Sequence, residues 1–163
     1  MKYIYILLLS ISCLALTGCG GGGGGGDNGI TLTPQQQEFA DVVYAFATAV
    51  NDKDKAKAMN LVSTDLVYNN QYDYTEFENR LDDFLDKVDS VNFQINGIGV
   101  RFLDEDIEAE IRADVVISYK RNDTDNSIPE TLEIYVKKYG SICGIKLFQK
   151  YPNEASAFPP VLE

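Results

Sequence analysis

The chain contains no histidine. That absence removes the side chain that most often acts as a base near neutral pH and that would activate a serine or cysteine nucleophile. Cysteine is scarce as well, with three in 163 residues, Cys13, Cys19 and Cys143. Basic residues are few: 14 Lys and Arg stand against 25 Asp and Glu, a formal charge of -11. A surface of that sign repels phosphate backbones and anionic headgroups, which excludes nucleic acid as a natural partner. Long apolar runs are missing too. A transmembrane helix needs about 20 apolar residues, whereas the run Ile4 to Leu16 is shorter and ends in small residues and a cysteine.

The amino-terminal stretch reads instead as an export signal, with Lys2 as its only charge, an apolar run and a small-residue site. Leu16-Thr17-Gly18-Cys19 resembles the lipobox of bacterial lipoproteins, in which an aliphatic residue, two small residues and a cysteine direct acylation of the thiol and cleavage before it. The resemblance implies a signal peptide over residues 1–18 and a partner in the membrane itself, reached through acyl chains on Cys19. Each buried methylene contributes about 0.8 kcal/mol, so several chains are needed for stable attachment. Gly20 stands where an Asp would signal inner-membrane retention in Gram-negative members, which implies the outer membrane of the cell envelope.

Gly20 to Gly26 are seven consecutive glycines, too costly to order as helix or strand. Residues 19–32 therefore read as a lipidated cysteine and tether, with a root-mean-square reach of about 19 Å and about 40 Å at full stretch. No strand precedes the glycines and no Lys-Ser or Lys-Thr pair follows, so they do not form a phosphate-cradling loop. Removal of Cys13 with the signal and modification of Cys19 leave Cys143 without a disulfide partner. Its alternation with Ile145 and Leu147 suits a small apolar core residue.

One domain is expected over residues 33–151, followed by a proline-interrupted tail over 152–163. Thr33, Pro34 and Gln36 form a capping box, and Phe39, Val42, Val43, Phe46 and Val50 give one apolar helical face. Asn51-Asp52 starts a second, shorter helix running to about Val62. Ser63 to Asp73 reads as irregular, and Thr75 with Glu78 caps a third helix carrying Phe77, Leu81, Phe84, Leu85 and Val88. The acidic residues on its other face lack the spacing and glycine of a calcium loop, and no metal or cofactor is expected.

After Ser90 the apolar period becomes two. Val91, Phe93 and Ile95 alternate, then Ile98, Val100 and Phe102 continue in the opposite phase across Gly97 and Gly99, which predicts a bulge. Ile107 to Lys120, a strand containing Leu132 to Val136, and Ile142 to Tyr151 follow, with a polar hairpin loop at Asn122 to Ser127. The expected fold is α+β, with three helices covering a curved four-stranded antiparallel meander.

That order, the stretch Val43 to Asn69 and the Gly140 and Ile145-Lys146-Leu147 features resemble the nuclear transport factor 2-like superfamily over most of Thr33 to Tyr151. The family includes ketosteroid isomerase and polyketide-cyclase-like enzymes, and the resemblance implies a cone-shaped domain. It would put Tyr44 on the isomerase oxyanion tyrosine and Asn69 on the base, where an amide cannot shuttle a proton. The His-Asp dyad of dehydratase relatives is excluded, and Asp114 and Glu110 sit in the outward phase of their strand.

Two readings follow. The first is a membrane-held binding module for an unidentified ligand. It would use a pocket lined by Tyr44, Tyr68, Asn69 and Tyr72, or pair with a second copy through Val116, Tyr135 and Tyr139 on the outer sheet face. The second is an enzyme acting on a small organic molecule with Tyr44 as hydrogen-bond donor.

Overall fold

The computed structural model describes residues 31–104 and 107–162; Cys19 and the glycine stretch lie outside them. Helix α1 spans Pro34–Asn51. Its capping box forms as expected, with Thr33 and Gln36 each satisfying the other's backbone amide, and Gln36 Nε2 also donates to the Val100 carbonyl at 2.9 Å. The buried face carries Phe39, Val42, Val43, Phe46 and Val50, the apolar stripe read from the sequence. Helix α2 is the single short stretch Lys55–Asn60, capped by Asp54. Helix α3, Tyr74–Lys87, starts earlier than Thr75 predicts because the Asp73 carboxylate accepts the Glu76 amide and serves as cap.

The sheet differs most from expectation. Val62–Tyr68 is a strand, β1, where irregular chain was expected. It adds to β2 (Ser90–Asp104), β3 (Glu108–Arg121), β4 (Thr124–Tyr139) and β5 (Ile142–Lys150). The sheet therefore has five strands in the order β1-β5-β4-β3-β2, and it is mixed, because β1 runs parallel to β5. The second helix stops at Asn60 and not Val62 because Val62 already pairs with Ile145. Leu66 and Tyr68 point inward while Val67 points out, a period of two that the polar triplet Ser63-Thr64-Asp65 conceals.

The other four strands form the expected antiparallel meander. The phase change in β2 is a bulge: pairing slips by one residue between Ile95 and Gly97, which turns Ile98, Val100 and Phe102 back toward the helices and curves the sheet. The expected six-residue loop before β4 contracts to Asn122-Asp123, whose φ values of 50° and 61° match a tight two-residue hairpin turn. Pro129 is accommodated inside β4 because its pairing with Val116 of β3 lies beyond the end of β5, whose pairing begins only at Leu132.

Between the sheet and the helices lies a single apolar core. Ile111, Ala113, Ile117, Leu132, Ile134 and Phe148 face Phe39, Phe46, Phe77, Leu81 and Phe84. Chain beyond residue 151 joins it. Phe158 is completely buried and Leu162 nearly so.

Gln36 makes two separable contributions. Gln36→Ala is expected to lower stability in urea denaturation by about 1 to 2 kcal/mol, and Gln36→Glu, which keeps the acceptor for Thr33 but cannot donate to Val100, by about half of that.

Candidate functional site

The end of β1 organises the region richest in converging polar groups. Tyr68 is followed by Asn69 and Asn70, both left-handed with φ of 52° and 60°, a conformation that asparagine tolerates well. The turn closes through reciprocal backbone bonds between Tyr68 and Tyr72, and Asn69 N donates to the Phe148 carbonyl of β5. Tyr68 and Tyr72 lie 5.8 Å apart by ring centroid, and the Arg80 guanidinium of α3 sits 4.5 Å over Tyr72 while bonding Glu76. The three predicted residues Tyr68, Asn69 and Tyr72 are thus together.

Tyr44 is elsewhere. It is half-buried on α1, and among the described residues no hydrogen bond or ring pair joins its side chain to the other three. Burial and the neighbouring Asp41 push its phenol pKa up, which leaves it neutral.

What Tyr68 and Asn69 hold is the carboxy-terminal tail. Asn69 reads both backbone groups of Ser156: its Oδ1 accepts the Ser156 amide at 2.7 Å and its Nδ2 donates to the Ser156 carbonyl at 3.1 Å. Glu130, on the inner face of β4 just before Leu132, accepts Ser156 Oγ and the Ala157 amide, each at 2.7 Å. The Tyr68 hydroxyl donates to the Phe158 carbonyl at 3.2 Å. Burial raises the Tyr68 pKa against the lowering influence of Arg80, so the phenol stays protonated and remains a donor. The Phe158 ring then enters an aromatic socket, edge-on to Phe84 and Phe93 at 5.5 and 5.3 Å and tilted against Phe148 at 6.1 Å. Each such pair adds about 0.5 to 1.5 kcal/mol beyond area burial. Lys87 closes the end by donating to the Leu162 carbonyl.

Sequence reasoning missed Glu130, Ser156 and Phe158. Glu130 follows Pro129, and residues 152–163 carry two adjacent prolines and no period. A shallow open hollow of about 420 Å³ next to this region is lined by Gln71, Tyr72, Asp73, Thr75 and Glu76, not by the aromatic interior.

The outer sheet face carries a second polar group. Glu110 points outward as expected yet is only 3 % exposed, because Arg101 and Arg112 cover it and both donate to its carboxylate. Arg112 in turn stacks 4.0 Å over Tyr151. Tyr135 donates weakly to Glu133 at 3.3 Å, Tyr139 donates to Asp65 of β1 at 2.9 Å, and Val116 is half-buried opposite Pro129. Among the described residues no group of acids and cysteines is arranged to hold a metal ion.

No protein-family model matches the chain, and no curated protein does. Solved structures do match by shape. A Novosphingobium aromaticivorans protein described as a scytalone dehydratase superposes with a TM-score of 0.61 at 12% identity, over 76% of this chain and 92% of its own. A Streptomyces avermitilis protein described as a dehydratase of the nuclear transport factor 2-like family gives 0.60 at 9% identity, covering 69% and 91%. This chain has the nuclear transport factor 2-like fold. The β subunit of benzoate 1,2-dioxygenase from Burkholderia mallei is similar to it as well, with a TM-score of 0.60, 15% identity and coverage of 74% and 91%. In this fold, the space between the curved sheet and the helices holds the Phe158 ring.

Burial alone would raise the Glu110 pKa, but hydrogen bonds from the two arginines outweigh it and lower it. A lowered folded-state pKa means stability that is present above the unfolded value and lost as pH falls through the folded one. Glu110→Gln is therefore expected to cost about 1 to 2 kcal/mol at pH 7. That is less than a fully buried pair, because Arg101 and Arg112 side chains are 68% and 47% exposed. The difference between variant and wild type in urea melts should shrink as pH drops below about 4.

Proposed function

We propose that the chain is a lipid-anchored protein of the bacterial cell envelope, held in the outer membrane by acyl chains on Cys19, whose nuclear transport factor 2-like domain binds a partner and does not catalyse a reaction. The observation that carries the binding reading is the filled cone: Phe158 occupies the interior, and Asn69, Glu130 and Tyr68 are each engaged with backbone or hydroxyl groups of the tail. While the tail is seated, a group committed to it in this way does not serve as a free acid or base toward a substrate. The anchor rests on Leu16 to Cys19 and the glycine tether that follows. Among the described residues no helix is long and apolar enough to cross a membrane, so the domain itself offers no helical span.

A small-molecule enzyme is the alternative. The fold neighbours described as dehydratases favour it, as does a buried carboxylate, Glu130, that bonds the same tail segment as the Tyr68 phenol. That reading requires the tail to vacate the interior.

Detergent phase separation tests the anchor. Wild-type protein from its host should enter the detergent phase, and Cys19→Ala should move to the aqueous phase; exported wild type found in the aqueous phase overturns the anchor. For the domain, an apolar fluorescent dye should show no stoichiometric uptake by the folded chain, and one-to-one uptake would favour the enzyme.

A further inference from the structure

Residues 156–158 are held less like a loop end than like a bound peptide. An extended segment bound by a protein has its backbone amides and carbonyls read by fixed side chains and one large side chain seated in a pocket. All of these features occur here within three residues. Asn69 takes the amide and carbonyl of Ser156, Glu130 takes the Ser156 hydroxyl and the Ala157 amide, and Tyr68 takes the Phe158 carbonyl. The Phe158 ring fills a socket walled by Phe84, Phe93 and Phe148. Ser156 Oγ also accepts the Phe158 amide at 3.0 Å, so the hydroxyl links Glu130 to the backbone of the residue that carries the ring.

The receptor side chains belong to α3, to the β1 end and to strands β2, β4 and β5, all of which are placed by contacts that do not involve the tail. The tail has weaker holds on either side of the clamp: before it, the Lys150–Glu154 bridge and ion pair and a bond from Asn70 Nδ2 to Asn153 Oδ1, and after it, Leu162 against the core with Lys87 on its carbonyl. The most directional contacts are those of the clamp itself.

We propose that Tyr68, Asn69 and Glu130, with the aromatic socket, form a peptide-binding site that reads a hydroxyl residue two positions before an aromatic one, and that the chain's own Ser156-Ala157-Phe158 is its resident ligand. The partner is then an extended peptide segment of that pattern on another protein, which takes the site when the tail swings out. This deepens the binding-module reading and rests on it.

The specificity follows from the contacts. Glu130 selects a hydrogen-bond donor at the first position, because an apolar residue there would leave a buried carboxylate oxygen without its partner. The socket selects an aromatic ring at the third position. The middle position is read only through its amide, at Ala157, so it tolerates any residue but proline.

Two experiments on the full chain test this. In native-state hydrogen exchange, the amides of Ser156, Ala157 and Phe158 should exchange through an opening that leaves the amides of β3 and β4 protected. Tail amides that exchange only together with the sheet would make the tail an inseparable part of the fold and overturn the proposal. In the second, Ser156→Asp with Phe158→Asp expels the tail by repulsion from Glu130 and from the apolar socket, and a labelled synthetic peptide of residues 152–163 is titrated in. The variant should bind it, with affinity falling at least about 30-fold for a peptide carrying Phe158→Ala and about 5- to 10-fold for Ser156→Ala. A folded variant that captures no peptide overturns the proposal. So does sedimentation showing wild-type chains paired through exchanged tails without peptide capture, which would make a second copy the occupant. Neither experiment involves Cys19, and dye uptake is read separately, so a negative result here leaves the anchored module standing with another partner.

Discussion

The seating of Phe158 against Phe84, Phe93 and Phe148 is the contact that decides what fills the space between sheet and helices. A sheet bent by the β2 bulge and covered by helices on its inner face encloses a volume between them. If that volume stayed empty, the surrounding rings would lose contacts at about 24 cal/mol per Å³ of cavity, so a phenylalanine-sized void would cost several kcal/mol. One aromatic ring, Phe158, delivered from the segment after β5 fills it. The ring cannot arrive alone, however: its backbone enters too, and buried amides and carbonyls need partners. Asn69, Glu130 and Tyr68 supply them. Filling the interior and satisfying the intruding backbone are one arrangement, and it consumes the polar groups that would otherwise line a pocket.

That arrangement is built on a layout this chain shares with its fold neighbours. TM-scores near 0.6 at 12% identity and below describe a shared sheet and helix layout, and a shared layout carries no reaction with it. Among the described residues, the three buried acids each have a partner. Glu130 holds the tail, Glu110 is neutralised between Arg101 and Arg112, and Glu133 accepts from Gln149 at 3.0 Å. The remaining acidic residues give the strongly negative surface expected from composition.

Much of the architecture was legible because periodicity reports which face a residue buries. The stripe from Phe39 to Val50, the alternation from Ala109 to Ile117 and the phase change after Ile95 each mapped onto the element they implied. Strand β1 was hidden because only Leu66 to Tyr68 alternate, and its pairing with β5 bridges about 80 residues of sequence, which no local pattern encodes. The grouping of Tyr68, Asn69 and Tyr72 was legible from their proximity in one turn, but their role was not. Asn69 looked like a failed base and is a backbone reader, and the tail it reads has no repeat to announce that it is buried. Glu130 sits in the inward phase of β4, ahead of Leu132 and Ile134, a position where a carboxylate implies a buried partner.

Everything in this structure turns on whether Phe158 occupies the space between sheet and helices in solution. Side-chain nuclear Overhauser contacts in the full-length folded protein measure this directly. Contacts from the Phe158 ring protons to the rings of Phe84, Phe93 and Phe148 are the predicted result. Phe158 resonances at random-coil positions, in a protein whose sheet and helix signals remain dispersed, would contradict it.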